Sequence, residues 1–176
     1  EERGGSGSGL DVKEIRYCNR PIANIRTGPG SRYGTVGKLI KGERIYVLEE
    51  KNGWIRIRTT ASDTGWSCWV RKSLTISQEQ WEQSDKRKYL AYLKSSVDEL
   101  TNKGLLKELD WQHNRAYVDI GKWYELDYRD KEVAAKTMAY FCGYKKGNYT
   151  SRIEIRDSSS KRRIASYSEA SGFRTY

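Results

Sequence analysis

Ala23-Asn24-Ile25-Arg26-Thr27-Gly28-Pro29-Gly30 is the stretch on which the reading of this chain turns. Proline presets φ and glycine accepts positive φ, so Gly28-Pro29-Gly30 reads as a fixed turn. Asn24 can hydrogen-bond backbone within that loop. Arg26 is free to pair, stack or stay solvated. Outward from this stretch the apolar pattern has a period of two. Arg44-Ile45-Tyr46-Val47-Leu48 and Trp54-Ile55-Arg56-Ile57-Arg58 are strand-like runs of branched and aromatic residues. Gly34, Gly37, Gly42, Gly53 and Gly65 punctuate them at short intervals. Short strands between glycine turns predict a small barrel or sandwich. Asn52-Gly53 predicts a tight hairpin, because a type I′ turn needs φ > 0 at both central positions.

Several of these pieces occur in a familiar order. Ala23 to Pro29 is similar to the Leu/Ala-Asn-Val-Arg-Ser-Gly-Pro signature of bacterial SH3 domains. Gly37-Lys38-Leu39-Ile40-Lys41-Gly42 resembles that family's Gly-x-Leu-x-x-Gly turn. Tyr46-Val47-Leu48 matches a core strand, Asn52-Gly53-Trp54 a hairpin, and Trp69-Val70 with Leu74 the closing strand. Residues 13–76 are thus identified as resembling a bacterial SH3-like domain (SH3b, SH3 type 3). The resemblance implies a small, strongly bent all-β barrel. One departure stands near its end: Gly65-Trp66-Ser67-Cys68-Trp69-Val70 offers two tryptophans, with Cys68 where glycine is expected.

The resemblance also implies a binding role, for a peptide or peptidoglycan-related ligand on an aromatic-lined groove. Tyr33, Trp54 and Trp66 are the candidates, and each also reads as a core residue. In such barrels the first and last strands lie near each other. A Cys18–Cys68 disulfide is therefore expected, closing about 50 residues and contributing about 4 kcal/mol. It would imply the periplasm or the exterior. Two separate buried thiols are the other reading.

Past residue 76 the period changes. Residues 77–113 read as a helical connector and residues 114–176 as an α+β domain, with the overall order α-β-α-β-β. Ser77 and Gln80 form a capping-box pattern that opens a helix running to about Thr101. Leu105, Leu106 and Leu109 suggest a short returning helix. Ala116 to Ile120 reads as a strand, and Lys122 to Leu126 as a helical turn. Asp127, with Asp130, starts a helix that Gly143 should stop. Ser151–Arg156 and Arg163–Ser168 read as two strands. No family is identified for this half from its sequence.

Composition sets the outer limits. The 176 residues carry a net charge of +10. Residues 13–76 carry +8 and residues 141–176 carry +5, against −2 over residues 1–12 and −1 over residues 77–140. Lys145, Lys146, Arg152, Arg156, Lys161, Arg162 and Arg163 form a basic patch. It reads as a solvated edge, as a surface for anionic envelope polymers, or as a nucleic-acid surface. Of these partners, nucleic acid is the least expected.

The single histidine, His113, excludes His-rich metal sites. It lies upstream of Cys142, which falls at a helix end where the dipole disfavours a thiolate, so no cysteine-peptidase dyad is expected. Asp119, Glu125, Asp127 and Asp130 read as helix caps and solvated acids rather than a glycosidase pair. No catalytic residues, metal or cofactor are expected. Gly4 to Gly9 read as part of a flexible linker over residues 1–12. The chain begins at Glu1 and its sole methionine is Met138, so a signal peptide, lipid anchor or membrane helix before Glu1 is left open, with membrane contact expected only through such a removed anchor. The sequence thus predicts a non-catalytic periplasmic or cell-envelope binding protein, with a possible protein partner for the C-terminal domain. The alternatives are a nucleic-acid-binding protein and an accessory part of a cell-wall hydrolase.

Overall fold

The computed structural model describes residues 11–59, 67–148 and 151–176. Most of the expected linker therefore lies outside the described residues. Seven strands form the first sheet: β1 (Glu14–Cys18), β2 (Ile22–Arg26), β3 (Thr35–Ile40), β4 (Arg44–Lys51), β5 (Trp54–Arg58), β6 (Cys68–Arg71) and β7 (Thr75–Ser77). Their order is β3-β2-β6-β5-β4-β1-β7, with antiparallel pairing throughout. Cys18, Ala23, Leu39, Ile45, Val47, Ile55, Ile57, Cys68 and Val70 meet in one core, so the sheet curls around the side chains of six of its strands. β3 and β7 remain edges among the described residues, so these ladders do not close the expected barrel. At the β4–β5 hairpin Asn52 has φ 50° and Gly53 φ 76°, the pair of positive values a type I′ turn demands.

The second half departs from the order read in the sequence. It runs α1 (Gln78–Glu82), α2 (Lys86–Asn102), β8 (Leu106–Asp110), β9 (Arg115–Val118), α3 (Ile120–Glu125), α4 (Tyr128–Lys146), β10 (Arg152–Asp157), β11 (Arg163–Ser168) and β12 (Gly172–Thr175). The expected first helix is split, because Asp85 starts a new one by accepting hydrogen bonds from Arg87 N and Lys88 N. The expected returning helix is strand β8. A bulge at Lys107 places Leu106 opposite Val118 and Leu109 opposite Ala116, so a buried and a partly buried leucine recur three residues apart, as on a helix. Gly143 does not stop α4; Gly147 does, with a left-handed φ of 71°. The five strands order as β12-β11-β10-β9-β8, antiparallel except for the parallel β9–β10 pair that α3 and α4 connect.

The two sheets share a core. Ile40 of β3 belongs to the same buried cluster as Leu93, Val97, Met138, Ile155 and Tyr167 of the second half. Tyr17 stacks on Trp81 at 5.0 Å, Trp81 meets Tyr89 edge-on at 4.9 Å, and Tyr89 meets Tyr144 edge-on at 4.7 Å. This aromatic chain ties β1 to α1, α2 and α4. Beside it, Lys136 of α4 extends its ammonium to Glu43, 2.9 Å away in the β3–β4 turn, and to Glu132 at 3.0 Å. It also donates to Lys38 O, while Glu43 accepts from Ile40 N. Burial pushes the Glu43 carboxyl up. Burial alone would pull Lys136 down, but the two carboxylates more than offset it and hold the ammonium above its usual range. No helix among the described residues is long and apolar enough to cross a membrane.

Candidate functional site

The loop after β2 is assembled by its own motif residues. Arg26 donates to Tyr33 O at 2.7 Å and Thr27 N to Gly34 O at 3.1 Å, closing Thr27–Gly34 as a pinned loop. Gly28 has no positive φ here; it is needed for space. A Cβ at Gly28 would lie 2.5 Å from Cδ1 of Tyr33, so the half-buried ring rests directly on the glycine. Arg26 is thus a positioning residue of the loop, one of the roles left open by its sequence.

Strand alternation fixes the rest of this surface. Ile55, Ile57, Cys68 and Val70 point into the core, so Trp54, Arg56, Trp69 and Arg71 stand on the opposite face. Across the ladders Arg26, Trp69, Arg56 and Glu49 make one row, and Arg71, Trp54 and Lys51 the next. Trp54 and Trp69 are therefore diagonal neighbours on adjacent strands, each half-buried. Arg56 pairs with Glu49 at 3.0 Å. The result is an aromatic pair among guanidiniums, suited to stacking on apolar ligand faces while pairing carboxylates. Trp69 was passed over in the sequence, where it served only as a strand marker; the alternation Cys68-Trp69-Val70 was the available signal. Trp66 lies outside the described residues.

The disulfide expectation is corrected. Cys18, Cys68 and Cys142 are all free and buried. β1 lies between β4 and β7, whereas β6 lies between β2 and β5, so the two half-cystine candidates are on non-adjacent strands. The Cys18 thiol donates to Arg20 O and the Cys68 thiol to Ile57 O. Burial pushes the Cys18 thiol up to about 11 and the Cys68 thiol to about 12.

Burial likewise raises Cys142 to about 12, so that thiol is protonated at neutral pH. His113 is held by Asp110, with Nδ1 2.7 Å from Oδ2. Asp119 and Asp127 cap α3 and α4 through the amides of Lys122 and Asp130. No group of three or more His, Cys, Asp or Glu could hold a metal ion among the described residues. A cleft of about 670 Å³ lies away from the tryptophans, between β2–β3 and α2–α4, floored by Ile22, Ile40, Leu100, Leu126 and Val133. Glu99, Lys103, Lys122, Glu125 and Asp130 also stand around it.

The basic patch divides. Lys145 lies over Trp111 at 5.4 Å and Lys146 donates to Asn114 Oδ1, both at the end of α4. Arg152, Arg156 and Arg163 stand on the face of the second sheet turned away from the core. Lys161 and Arg162 lie in the β10–β11 turn, Lys161 with its ammonium 4.6 Å from the centre of the Tyr117 ring.

Comparison with known proteins bears on the first sheet. A curated relative, "Putative N-acetylmuramoyl-L-alanine amidase YrvJ" of Bacillus subtilis (strain 168), is 40% identical over 43 residues. That match takes in 24% of this chain and only 8% of the relative. The family described as "Bacterial SH3 domain" matches residues 23–67, from the Asn24-Ile25-Arg26 motif to the start of β6. Over those residues, a quarter of its length, the chain carries a bacterial SH3 domain.

Proposed function

We propose that this chain is a non-catalytic cell-envelope binding protein. Its SH3 segment holds a peptide or peptidoglycan-related ligand on the outward face of β5 and β6, and its second half serves as an interaction domain. The observation that carries this reading is the pair Trp54 and Trp69, kept out of the core by strand alternation and set among Arg26, Arg56 and Arg71. Tyr33 extends the same surface at the loop that Arg26 pins. The envelope setting draws support from the bacterial SH3 match and from the amidase relative. That relative also supports an accessory role beside a wall hydrolase, on the SH3 segment alone.

The test is co-sedimentation with purified peptidoglycan sacculi stripped of attached polymers. The chain should sediment with them. A Trp54→Ala/Trp69→Ala variant should lose at least about tenfold in affinity, since each truncated ring forfeits stacking of the order of 1 kcal/mol. Equal binding by the variant would overturn the assignment of the surface. Absence of binding by the intact chain would overturn the ligand class. Clearing of a sacculus-containing gel by the intact chain would overturn the non-catalytic reading.

A further inference from the structure

The second sheet has one face under helices and one face without them. Ile153, Ile155, Ala165 and Tyr167 turn toward α4 and join the core. The alternate residues face outward and form rows across the strands. Arg115, Glu154, Ser166 and Arg174 make one row across β9, β10, β11 and β12. Tyr117, Arg156 and Arg163 make the second, and Arg152, Ser168 and Gly172 the third. Adjacent rows lie about 7 Å apart along the strands, and neighbours within a row about 4.8 Å apart. Only Arg152, Arg156 and Arg163 of this array belong to the patch visible in the sequence; Arg115 and Arg174 arrive from other strands.

One carboxylate sits at the centre of these guanidiniums. Arg156 bonds Glu154 at 2.8 Å, while Arg115 and Arg163 stop at 3.9 Å from its oxygens, beyond hydrogen-bond reach. These two are ion-paired with the carboxylate at that distance without a direct hydrogen bond to it. Arg152 faces Ser168 and Arg174 faces Ser166 across the ladders, so neither has an acid opposite. A shallow concavity of about 370 Å³ is bounded by Arg115, Arg152, Glu154, Arg163, Ser166 and Ser168. Each aromatic ring on this face already carries a cation on one side: Lys161 lies over Tyr117 at 4.6 Å and Arg163 over Tyr176 at 4.2 Å. Bases of a single-stranded nucleic acid would compete with those cations for the ring faces. What the surface offers instead is spaced positive charge and hydroxyls.

We propose that this open face binds a phosphodiester polymer with a polyol backbone. Phosphates seat on the guanidinium rows by charge-assisted hydrogen bonds, and backbone hydroxyls meet Ser166, Ser168 and Ser171. The choice of an envelope polyol rests on the function proposed above; the anion surface itself does not.

The probe is poly(glycerol phosphate), titrated into the full chain at several salt concentrations. Binding should weaken steeply with salt, because each seated phosphate releases counterions. Arg152→Glu/Arg163→Glu should weaken it at least about tenfold at low salt. Arg115→Gln/Arg174→Gln tests the same rows from other strands and should also weaken it. Unchanged affinity in both variants, absence of binding at low salt, or equal or tighter binding of a single-stranded DNA oligomer of matched charge would overturn the proposal. The Trp54→Ala/Trp69→Ala variant should keep polymer binding. Sacculus binding without polymer binding would overturn this inference alone; polymer binding without sacculus binding would overturn the preceding one alone.

Discussion

The chemistry of the three cysteines follows from where strand alternation puts Cys18 and Cys68 and where the buried face of α4 puts Cys142. Each points inward, loses solvent and keeps its proton: Cys18 is raised to about 11, Cys68 and Cys142 to about 12, with burial the leading cause. A thiol must ionise to attack or to exchange, so these three should be inert in the folded protein. At pH 8, native chain should react slowly with a thiol-specific chromogenic reagent, and denatured chain rapidly at all three positions. Masses measured with and without reductant should be identical; a loss of two hydrogens in the non-reduced protein would restore the Cys18–Cys68 bond. Gly28 is a second lesson at this scale. The motif suggested a glycine for its backbone freedom, and the structure uses it for the absence of a Cβ beneath Tyr33.

Elements in this chain begin where short polar side chains say they should. Ser77 and Gln80 make a complete capping box on α1. Asp85, Asp119 and Asp127 cap α2, α3 and α4, and Asp157 holds the β10–β11 turn through the Ser160 hydroxyl and the amides of Ser159 and Ser160. Backbone amides at the caps, and chiefly the Ser160 hydroxyl at Asp157, hold these four carboxyls below their usual range. A depressed folded-state pKa stabilises above the unfolded value and loses that contribution as pH falls through the folded one. The melting temperature should therefore hold steady from pH 7 to about 5 and decline below about pH 4, the ordinary carboxylate range. Asp127→Ala should lower the neutral-pH midpoint and flatten the acid decline. An acid limb of unchanged slope would assign the loss to other carboxylates. The elements that escaped sequence reading did so for local reasons: the bulge at Lys107 gave β8 a helical spacing, and β12 holds one buried residue, Phe173, too few to show a period.

At the scale of the molecule, Lys136 makes the buried ion pair that joins the halves. Its side chain is 4% exposed and Glu43 2%, and the pair lies between α4 and the β3–β4 turn. Lys136→Met removes the cation and strands a buried carboxylate, which should cost about 3–5 kcal/mol in denaturant unfolding. Glu43→Leu/Lys136→Met should recover most of that loss, because two apolar side chains replace the pair without an orphaned charge. Wild-type stability in Lys136→Met would show that the halves are held by contacts other than this buried pair, Ile40 and the aromatic chain among them. Outside this clamp, Lys38–Asp130 at 2.7 Å is half-exposed and should contribute little.

The division between sequence and tertiary structure follows the range of the interactions. Asn52-Gly53, the Ser77–Gln80 box, the Asp127 cap and the Asn24-Ile25-Arg26 motif act over a few residues, and their chemistry was complete in the letters. They determined the SH3 segment, its hairpin and most helix starts. Strand pairing is set between distant segments, so only the folded chain could put Arg115, Arg156 and Arg163 around Glu154. The same holds for Trp69 beside Trp54, for the parallel β9–β10 pair, and for the strands that keep Cys18 from Cys68. Lys136 and Glu43 are 93 positions apart in the chain. In the sequence each is an ordinary surface charge; burial between α4 and the first sheet makes them the clamp.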